Sequence, residues 1–269
     1  KNLKAEIAQS KKNFFNNTLT NFLTNSPRKS WLFFMEANEG IDLIVDGKEV
    51  ITETSHIAER LNQFFQSVFC KDQGDNEEIE SGTTVTLQED DININREGIF
   101  NQILLLNTKT SCGPDGISNQ FLRRFAEWLS YYLVIIFEKS LKCHSLPQDW
   151  RRAIVVPIFE GGDRTTLNNY RPVSLTSVCC KIFEHIVAKN IREFLEQNEL
   201  LCPFQHGFRG GLSTVTQLVE TIHDLCIAVD ACMQIDVLCI DFSKAFDRVS
   251  HRKLIFKLRN VGISENVLS

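Results

Sequence analysis

The apolar positions of the N-terminal part of the chain predict two amphipathic helices and a hairpin. The predicted elements are a helix within 4–25, a hairpin at 41–51 and a helix at 55–69. Asp46 and Gly47 form a strong turn signal in the hairpin. Ser55 is a candidate N-cap for the second helix. Residues 1–71 are therefore predicted to form a mainly helical N-terminal extension.

A polar, acidic stretch at 72–95 separates this part from the rest and is predicted to be a linker. Beyond it, apolar residues recur first at helical and then at strand spacing. The predicted elements are helices at 96–108 and 119–143, strands at 153–159 and 170–175, helices at 176–196 and 213–231, a strand at 235–241, and a helix from Ser250 that ends at Gly262. Residues 96–269 therefore predict an α+β domain that is rich in helices and has few strands.

The predicted strand at 235–241 ends on a carboxylate. Four apolar residues at 237–240 precede Asp241, and a short polar turn leads on to Phe246 and Asp247. A carboxylate at the end of a buried strand is costly unless a cation or hydrogen-bond donors stabilise it. Such a carboxylate is suited to bind a Mg²⁺ ion that contacts phosphates. The simpler alternative is that Asp241 only caps the next turn.

The net charge of −5 is unevenly distributed along the 269 residues. Residues 1–95 carry 9 Lys and Arg against 16 Asp and Glu, whereas residues 96–269 carry 20 against 18. The second part is therefore mildly basic, which permits contact with phosphates without requiring it.

The nine cysteines include no C-x-x-C pair, so neither a disulfide framework nor a cysteine zinc site is predicted. Reduced, buried thiols in an intracellular protein fit the cysteine pattern better. No apolar run reaches membrane-spanning length and no signal peptide opens the chain, so no membrane partner is expected. The first residue is Lys and not Met, which suggests a piece of a longer protein.

Five segments in one order resemble the reverse transcriptase domain of non-long-terminal-repeat (LINE-type, arthropod-like) retrotransposons. They are SCGPDGI at 111–117, PIFEGGD at 157–163, YRPVSL at 170–175, QHGFR at 205–209 and IDFSKAFD at 240–247. The resemblance implies a right-hand polymerase fold, with fingers over 96–235 and a palm that begins at 235–241. It also implies DNA synthesis on an RNA template from a DNA primer, with dNTPs as substrates and two Mg²⁺ ions as cofactors.

The resemblance assigns a metal and nucleotide site to the segment around Asp241. Asp241 matches the first metal-binding catalytic carboxylate, and the backbone carbonyl of Phe242 matches the ligand beside it. The amides of Lys244 and Ala245 match groups that face the triphosphate. Phe246 matches the aromatic residue that excludes a ribose 2′-hydroxyl.

Two further segments receive roles from the same resemblance. Arg171 matches an arginine of the fingers that binds phosphate, a task that suits a planar guanidinium. Gln205, His206 and Arg209 are candidates for contact with the template strand.

Each of these assignments has a structural alternative. Asp247 is better explained as a cap than as a metal ligand. Arg171 is a candidate to pair with Glu184, and the segment at 205–209 is nearly as well explained as a Gly-rich turn. The remaining alternatives concern solvated, surface or core residues: Lys244 as solvated, His185 and His223 as packing or surface residues, and Trp128 and Trp150 as core.

The chain departs from the family pattern at three points. Glu160 stands where the family usually has a lysine that meets the triphosphate, and a glutamate there opposes nucleotide binding. Gly210 stands where a basic residue is common. No Phe/Tyr-x-Asp-Asp tetrad, the source of further palm carboxylates, occurs in the sequence. We therefore expect this polypeptide alone not to polymerise, because one carboxylate does not hold two metal ions.

Two other functions compete with a polymerase fragment. The first is a catalytically inactive remnant of a transposable element that still binds nucleic acid through the fingers surface. The second is a Mg²⁺ phosphotransferase of the haloacid-dehalogenase kind. That fold needs a second Asp two positions after the first, where this chain has Ser243, so it is disfavoured.

Overall fold

The computed structural model describes residues 40–47, 49–70 and 85–268. The helix predicted within 4–25 lies outside them, as does most of the predicted linker. The chain divides into two compact units, one of residues 1–61 with 161–169 and the other of residues 62–160 with 170–269. In the described part of the chain, every helix is too short or too polar to span a membrane.

The first unit contains the predicted hairpin. Strands β1 (Ile44–Asp46) and β2 (Glu49–Ile51) pair antiparallel, with Gly47 at a φ of 62° in the turn. Ile44 and Ile51 face each other across the pair and are buried. Gly47 explains the position of the turn, because a glycine has no Cβ and adopts a positive φ at little energetic cost.

Helix α1 (Thr54–Val68) follows the hairpin, as the periodicity predicted. Its Arg60 guanidinium lies 3.3 Å from a carboxylate oxygen of Asp46 and 2.8 Å from one of Glu49. The prediction of Ser55 as N-cap is wrong, because the helix already begins at Thr54. The Ser55 hydroxyl instead donates to the Glu53 carboxylate at 2.7 Å.

The core of the second unit is formed by four helices: α2 (Arg96–Leu105), α3 (Asn119–Arg124), α4 (Ala126–Lys142) and α5 (Val178–Gln197). The single helix predicted at 119–143 is broken at Phe125, whose φ and ψ of −111° and 22° are not helical. The buried residues are Ile99, Ile103, Leu122, Ala126, Leu133, Phe137, Val178, Cys179, Ile182, Phe183 and Ile186.

Aromatic rings fill the centre of this core. The Phe137 ring lies 5.0 Å from that of Phe183 and 5.7 Å from that of Trp150, centroid to centroid. The prediction that Trp150 packs in the core is confirmed. The same prediction for Trp128 is wrong, since that side chain is 71% exposed. Helical spacing gives α4 apolar residues on two opposite sides, and the core covers one of them.

The predicted strands of the second unit form a hairpin. Strands β3 (Ile154–Phe159) and β4 (Tyr170–Leu175) pair antiparallel, with Ile158 opposite Arg171 and Phe159 opposite Tyr170. Pro157 and Pro172 also face each other, and neither can donate a backbone hydrogen bond. The described residues thus contain two small two-stranded sheets among many helices, so the predicted α+β class is confirmed.

A second cluster brings together distant parts of the chain. Leu87 and Ile92 are buried with Phe194 and Ile263. The Leu87 amide donates to the Gly262 carbonyl at 2.8 Å, and its carbonyl accepts from the Ser264 amide at 3.0 Å. Residues 85–95, predicted as linker, therefore pack against the domain instead, because their apolar side chains find a partner far along the chain.

The last helices follow the prediction closely. Helix α6 (Thr214–Asp230) corresponds to the prediction at 213–231. Helix α7 (His251–Asn260) begins after Ser250, whose hydroxyl accepts from the Lys253 amide at 3.2 Å. Gly262 follows it with a φ of 97°. A short helix, α8 (Glu265–Leu268), ends the described chain.

The strand predicted at 235–241 is wrong, because residues 233–242 have no regular secondary structure. The side chains of Val237, Leu238 and Ile240 are largely exposed. A strand exists when neighbouring strands satisfy its backbone groups. No described residue pairs with this segment.

The glycine-rich segment at 111–117 forms a turn. The Gly116 amide donates to the Gly113 carbonyl at 3.1 Å, and Gly116 has a φ of 70°. Gly113 lies directly against the junction between β4 and α5. A Cβ at Gly113 would lie 2.5 Å from the carbonyl oxygen of Thr176 and 2.8 Å from the amide nitrogen of Ser177.

Most of the cysteines differ from the prediction of buried thiols. Six of the nine are exposed and one is half-buried, while Cys179 and Cys180 are buried. Burial raises the pKa of the Cys179 thiol to about 11, and the charge of Asp115 adds to it. Burial, followed by the hydrogen bond to Glu184, raises the pKa of the Cys180 thiol to about 12.

Gly113→Ala is expected to destabilise the fold by about 1–3 kcal/mol, because backbone atoms must shift to admit the methyl group. Urea unfolding followed by circular dichroism measures the change. Gly210→Ala is the matched control, since no atom lies within 4 Å of its Cβ position. Its effect should stay within about 0.5 kcal/mol. Equal effects of the two substitutions would contradict the close packing of Gly113.

Cys179 and Cys180 are expected to resist a thiol-reactive disulfide reagent at about pH 8 in the folded protein, because the thiolate is the reactive species. At that pH, less than roughly a thousandth of either thiol is ionised. Peptide mapping after labelling should find both residues modified only once urea is added. Exposed Cys202 and Cys226 serve as internal controls that should react in the folded state. Rapid native labelling of Cys179 or Cys180 would refute the packing.

Candidate functional site

The polar turn after Asp241 has a left-handed residue at its centre. Lys244 has a φ of 52°, and its carbonyl accepts from the Arg248 amide at 3.1 Å. The amides of Lys244 and Ala245 donate to no acceptor in the described part of the chain. Two adjacent unpaired amides in a turn with one left-handed residue are the arrangement that binds anions in other proteins.

The Lys244 side chain is held away from these amides. Its ammonium lies 4.4 Å from the centroid of the Phe64 ring in α1. This distance is that of a cation–π contact. The alternative of a purely solvated Lys244 is therefore wrong. Phe64 belongs to the same unit as the turn, and sequence spacing could not show that the two lie together.

The turn also meets the loop at 205–209. The rings of Phe208 and Phe246 lie 6.1 Å apart, centroid to centroid, at an interplanar angle of 79°. Both side chains are 81% exposed. Two segments that the sequence singled out separately thus lie side by side, and their edge-to-face rings form the contact.

A buried histidine anchors this loop to α6. His206 is 8% exposed, and its Nδ1 lies 2.8 Å from the Thr216 hydroxyl. Its Nε2 lies 2.7 Å from a carboxylate oxygen of Glu220. The Thr216 hydroxyl also accepts from the Ser213 amide and donates to the Ser213 carbonyl. His206 is therefore a structural anchor and not the template contact that the sequence suggested, because α6 engages both of its ring nitrogens.

The other two predicted template-binding residues are also engaged within the protein. The Arg209 guanidinium donates to the Cys202 carbonyl at 3.2 Å and lies 4.0 Å from the Glu196 carboxylate. The Gln205 side-chain amide donates to the Gly207 carbonyl at 3.2 Å. These bonds favour the alternative of a structural turn, although the exposed side chain of Gln205 still reaches solvent.

Arg171 pairs with the residue that departs from the family pattern. Its Nε lies 3.5 Å from a carboxylate oxygen of Glu160, and the two side chains are 52% and 53% exposed. The alternative partner, Glu184, instead accepts from the Cys180 thiol at 3.2 Å. The hairpin register explains the pairing, because Glu160 follows Phe159 just beyond the strand that faces Arg171.

Asp241 stands alone in the described structure. Its carboxylate accepts no hydrogen bond and forms no ion pair with any described residue. Residues 40–47, 49–70 and 85–268 contain no group of three or more His, Cys, Asp or Glu placed to hold a metal ion. The described residues therefore do not assemble a site for a pair of Mg²⁺ ions around Asp241. No hydrogen bond, ion pair or ring contact between described residues joins Arg171 to the turn at 241–247.

The C-terminal part of the chain is similar to a known protein family. Residues 161–269 match the family described as "Reverse transcriptase (RNA-dependent DNA polymerase)". Arg171, the loop at 205–209 and the turn at 241–247 all lie within this segment.

Three similar proteins come from Drosophila melanogaster. The probable RNA-directed DNA polymerase from transposon BS is 31% identical over 166 residues, 61% of this chain and 18% of that protein. The corresponding protein from transposon X-element is 30% identical over 55% of this chain and 16% of its own length. The RNA-directed DNA polymerase from mobile element jockey is 27% identical over 61% of this chain and 18% of its own length.

The chain thus spans less than a fifth of the length of these relatives. Over the part of the chain that they cover, the predicted resemblance to reverse transcriptases of non-long-terminal-repeat retrotransposons is confirmed.

Glu160→Gln is expected to strengthen binding of inorganic triphosphate about 2- to 5-fold, because Arg171 loses a competing carboxylate and the exposed pair is worth at most about 1 kcal/mol. Isothermal titration calorimetry at low salt measures the affinity. Glu138→Gln, the same charge change on an exposed residue of α4, should leave binding unchanged. Adding Arg171→Ala to Glu160→Gln should remove the gain. An unchanged affinity in Glu160→Gln would show that the pair does not control anion binding.

Proposed function

We propose that this chain is part of an RNA-directed DNA polymerase that adds dNTPs to a primer 3′-hydroxyl by nucleotidyl transfer. The observation that carries the proposal is the match of residues 161–269 to reverse transcriptases, because that segment contains every nucleotide-site residue that the motifs assign. The unpaired amides of Lys244 and Ala245 support it, since they offer a place for phosphate oxygens.

The proposed organisation is a fingers region over 96–235, a palm that begins at 235–241, and an N-terminal extension over 1–71. The RNA template, the DNA primer and dNTPs are the proposed partners, in an intracellular setting. Phe246 is proposed to limit the space beside the sugar of an incoming nucleotide. The exposure of its ring next to Phe208 supports this role, because the ring is available to a ligand.

We propose Asp241 as the first metal-binding carboxylate of the intact enzyme, with the carbonyl of Phe242 beside it. Magnesium would supply charge neutralisation at the phosphates when bound. The isolation of Asp241 among the described residues supports an incomplete metal site in this polypeptide. The 269 residues alone are therefore proposed to be inactive in polymerisation.

A second candidate is a catalytically inactive remnant that binds nucleic acid. The isolation of Asp241 favours it, as does the Glu160 carboxylate beside Arg171. The coding sequence beyond residue 269 separates the two candidates. An in-frame x-Asp-Asp hairpin there would support the polymerase, and a stop codon directly after residue 269 would support the remnant.

The purified chain is expected to give no primer extension on an RNA template with dNTPs and Mg²⁺, because one carboxylate does not position two metal ions. Denaturing gel electrophoresis of a labelled DNA primer checks this. Asp241→Ala should be indistinguishable from the unmodified chain, and a complete reverse transcriptase provides the positive control. Extension that Asp241→Ala abolishes would overturn the proposed inactivity and, at the same time, establish Asp241 as catalytic.

A further inference from the structure

Helix α4 exposes an aromatic surface opposite the side that it buries. Its buried residues are Ala126, Ser130, Leu133, Phe137 and Ser140. At 100° per residue, these positions share one side of the helix. The exposed apolar residues of α4 occupy the other side: Trp128, Tyr131, Tyr132, Ile135 and Ile136. The set is completed by exposed Phe121 of α3 and Phe125 between the two helices, whose ring centroids lie 5.0 Å apart. We name the five aromatic residues of this set the aromatic face.

An exposed face of this composition points to a ligand. A helix that is apolar on all sides is normally buried on all sides. Trp128, Tyr131 and Tyr132 are 71%, 58% and 55% exposed. These three rings line an open cleft of about 390 Å³ together with Arg96 and Glu127.

Arg96 is fixed at the edge of this cleft. Its guanidinium donates to the Glu127 carbonyl at 3.2 Å and to the Ser130 hydroxyl at 3.4 Å. It also lies 3.7 Å from the Glu127 carboxylate. The charge of Arg96 is thus locally balanced, so the cleft itself is close to neutral.

Unbalanced positive charge lies at both ends of the aromatic face. The Arg124 guanidinium stands 5.8 Å from the centroid of the Phe125 ring at one end, next to Arg123. Lys139 and Lys142 continue the same side of α4 at the other end and are exposed. None of these four cations forms an ion pair with a described residue. Phe125 and Lys142 are about 25 Å apart along the helix axis.

We propose that the aromatic face binds single-stranded RNA, with bases stacked on the rings and the flanking cations on phosphates. This inference rests on the proposed function, which requires an RNA template. Nonspecific single-strand sites combine aromatic platforms with cations along the backbone path, and this surface has both. The dominance of rings over aliphatic side chains, with cations at each end, favours a nucleic acid over an apolar protein partner.

Fluorescence anisotropy of the full chain with a labelled single-stranded RNA of about 16 nucleotides tests the proposal. Trp128→Ala should raise Kd about 5- to 100-fold, as expected from loss of one stacked base. Trp128→Phe keeps a ring and should retain most of the affinity. Phe69→Ala removes an exposed aromatic side chain outside the face and should change nothing. Urea unfolding should give the same stability for all variants, because both residues are exposed.

The salt dependence tests the cations separately. The double variant Lys139→Ala/Lys142→Ala should lower the magnitude of the slope of log K against log salt by about 1.4, the value for two phosphate contacts on a single strand.

RNA binding that is unchanged in Trp128→Ala would overturn the aromatic-face proposal and leave the proposed function standing. If the unmodified chain does not bind RNA at low salt, RNA is removed as a partner from the aromatic-face proposal and from the proposed function alike. Self-association that Trp128→Ala abolishes, with RNA binding intact, would assign the face to contact between copies.

Discussion

The packing of Phe137 against Phe183 is the contact on which the second unit depends. It joins α4 to α5, and Trp150 adds the segment that leads into β3. A ring at the centre of the core brings several elements together at once, since each aromatic side chain buries a large apolar area. Gly113 lets the chain pass directly under the junction between β4 and α5, where any Cβ would collide with the backbone.

The hairpin and the turn at 241–247 differ in how they are stabilised. The hairpin carries Arg171 on a strand with defined register, so the guanidinium has a fixed neighbour in Glu160. The turn instead follows a segment without secondary structure, and ring contacts hold it. Phe246 meets Phe208, and Lys244 meets Phe64. The buried His206 links α6 to this turn indirectly. It bonds to α6 and belongs to the loop that carries Phe208, and Phe208 contacts the turn.

Helix α4 contributes both to the core and to the proposed RNA-binding surface. One side supplies Phe137 to the core, and the other presents Trp128 and its neighbouring rings to solvent. A site built on such a helix loses little conformational entropy when a ligand binds, since the backbone is already fixed.

Sequence pattern alone predicted most of the described helices, the hairpin at 41–51, the two strands at 153–159 and 170–175, and the resemblance to reverse transcriptases. Period, turn residues and motifs are local properties that the chain carries in any fold. Packing between distant segments determines which apolar face of α4 is covered, so that Trp128 is exposed, and it brings Trp150 against the core. It also decided that Glu160, and not Glu184, pairs with Arg171, and that His206 anchors a loop. The segment at 235–241 shows the reason most clearly. Its apolar pattern is that of a strand, but a strand depends on neighbouring strands for its hydrogen bonds, and no local pattern specifies those partners.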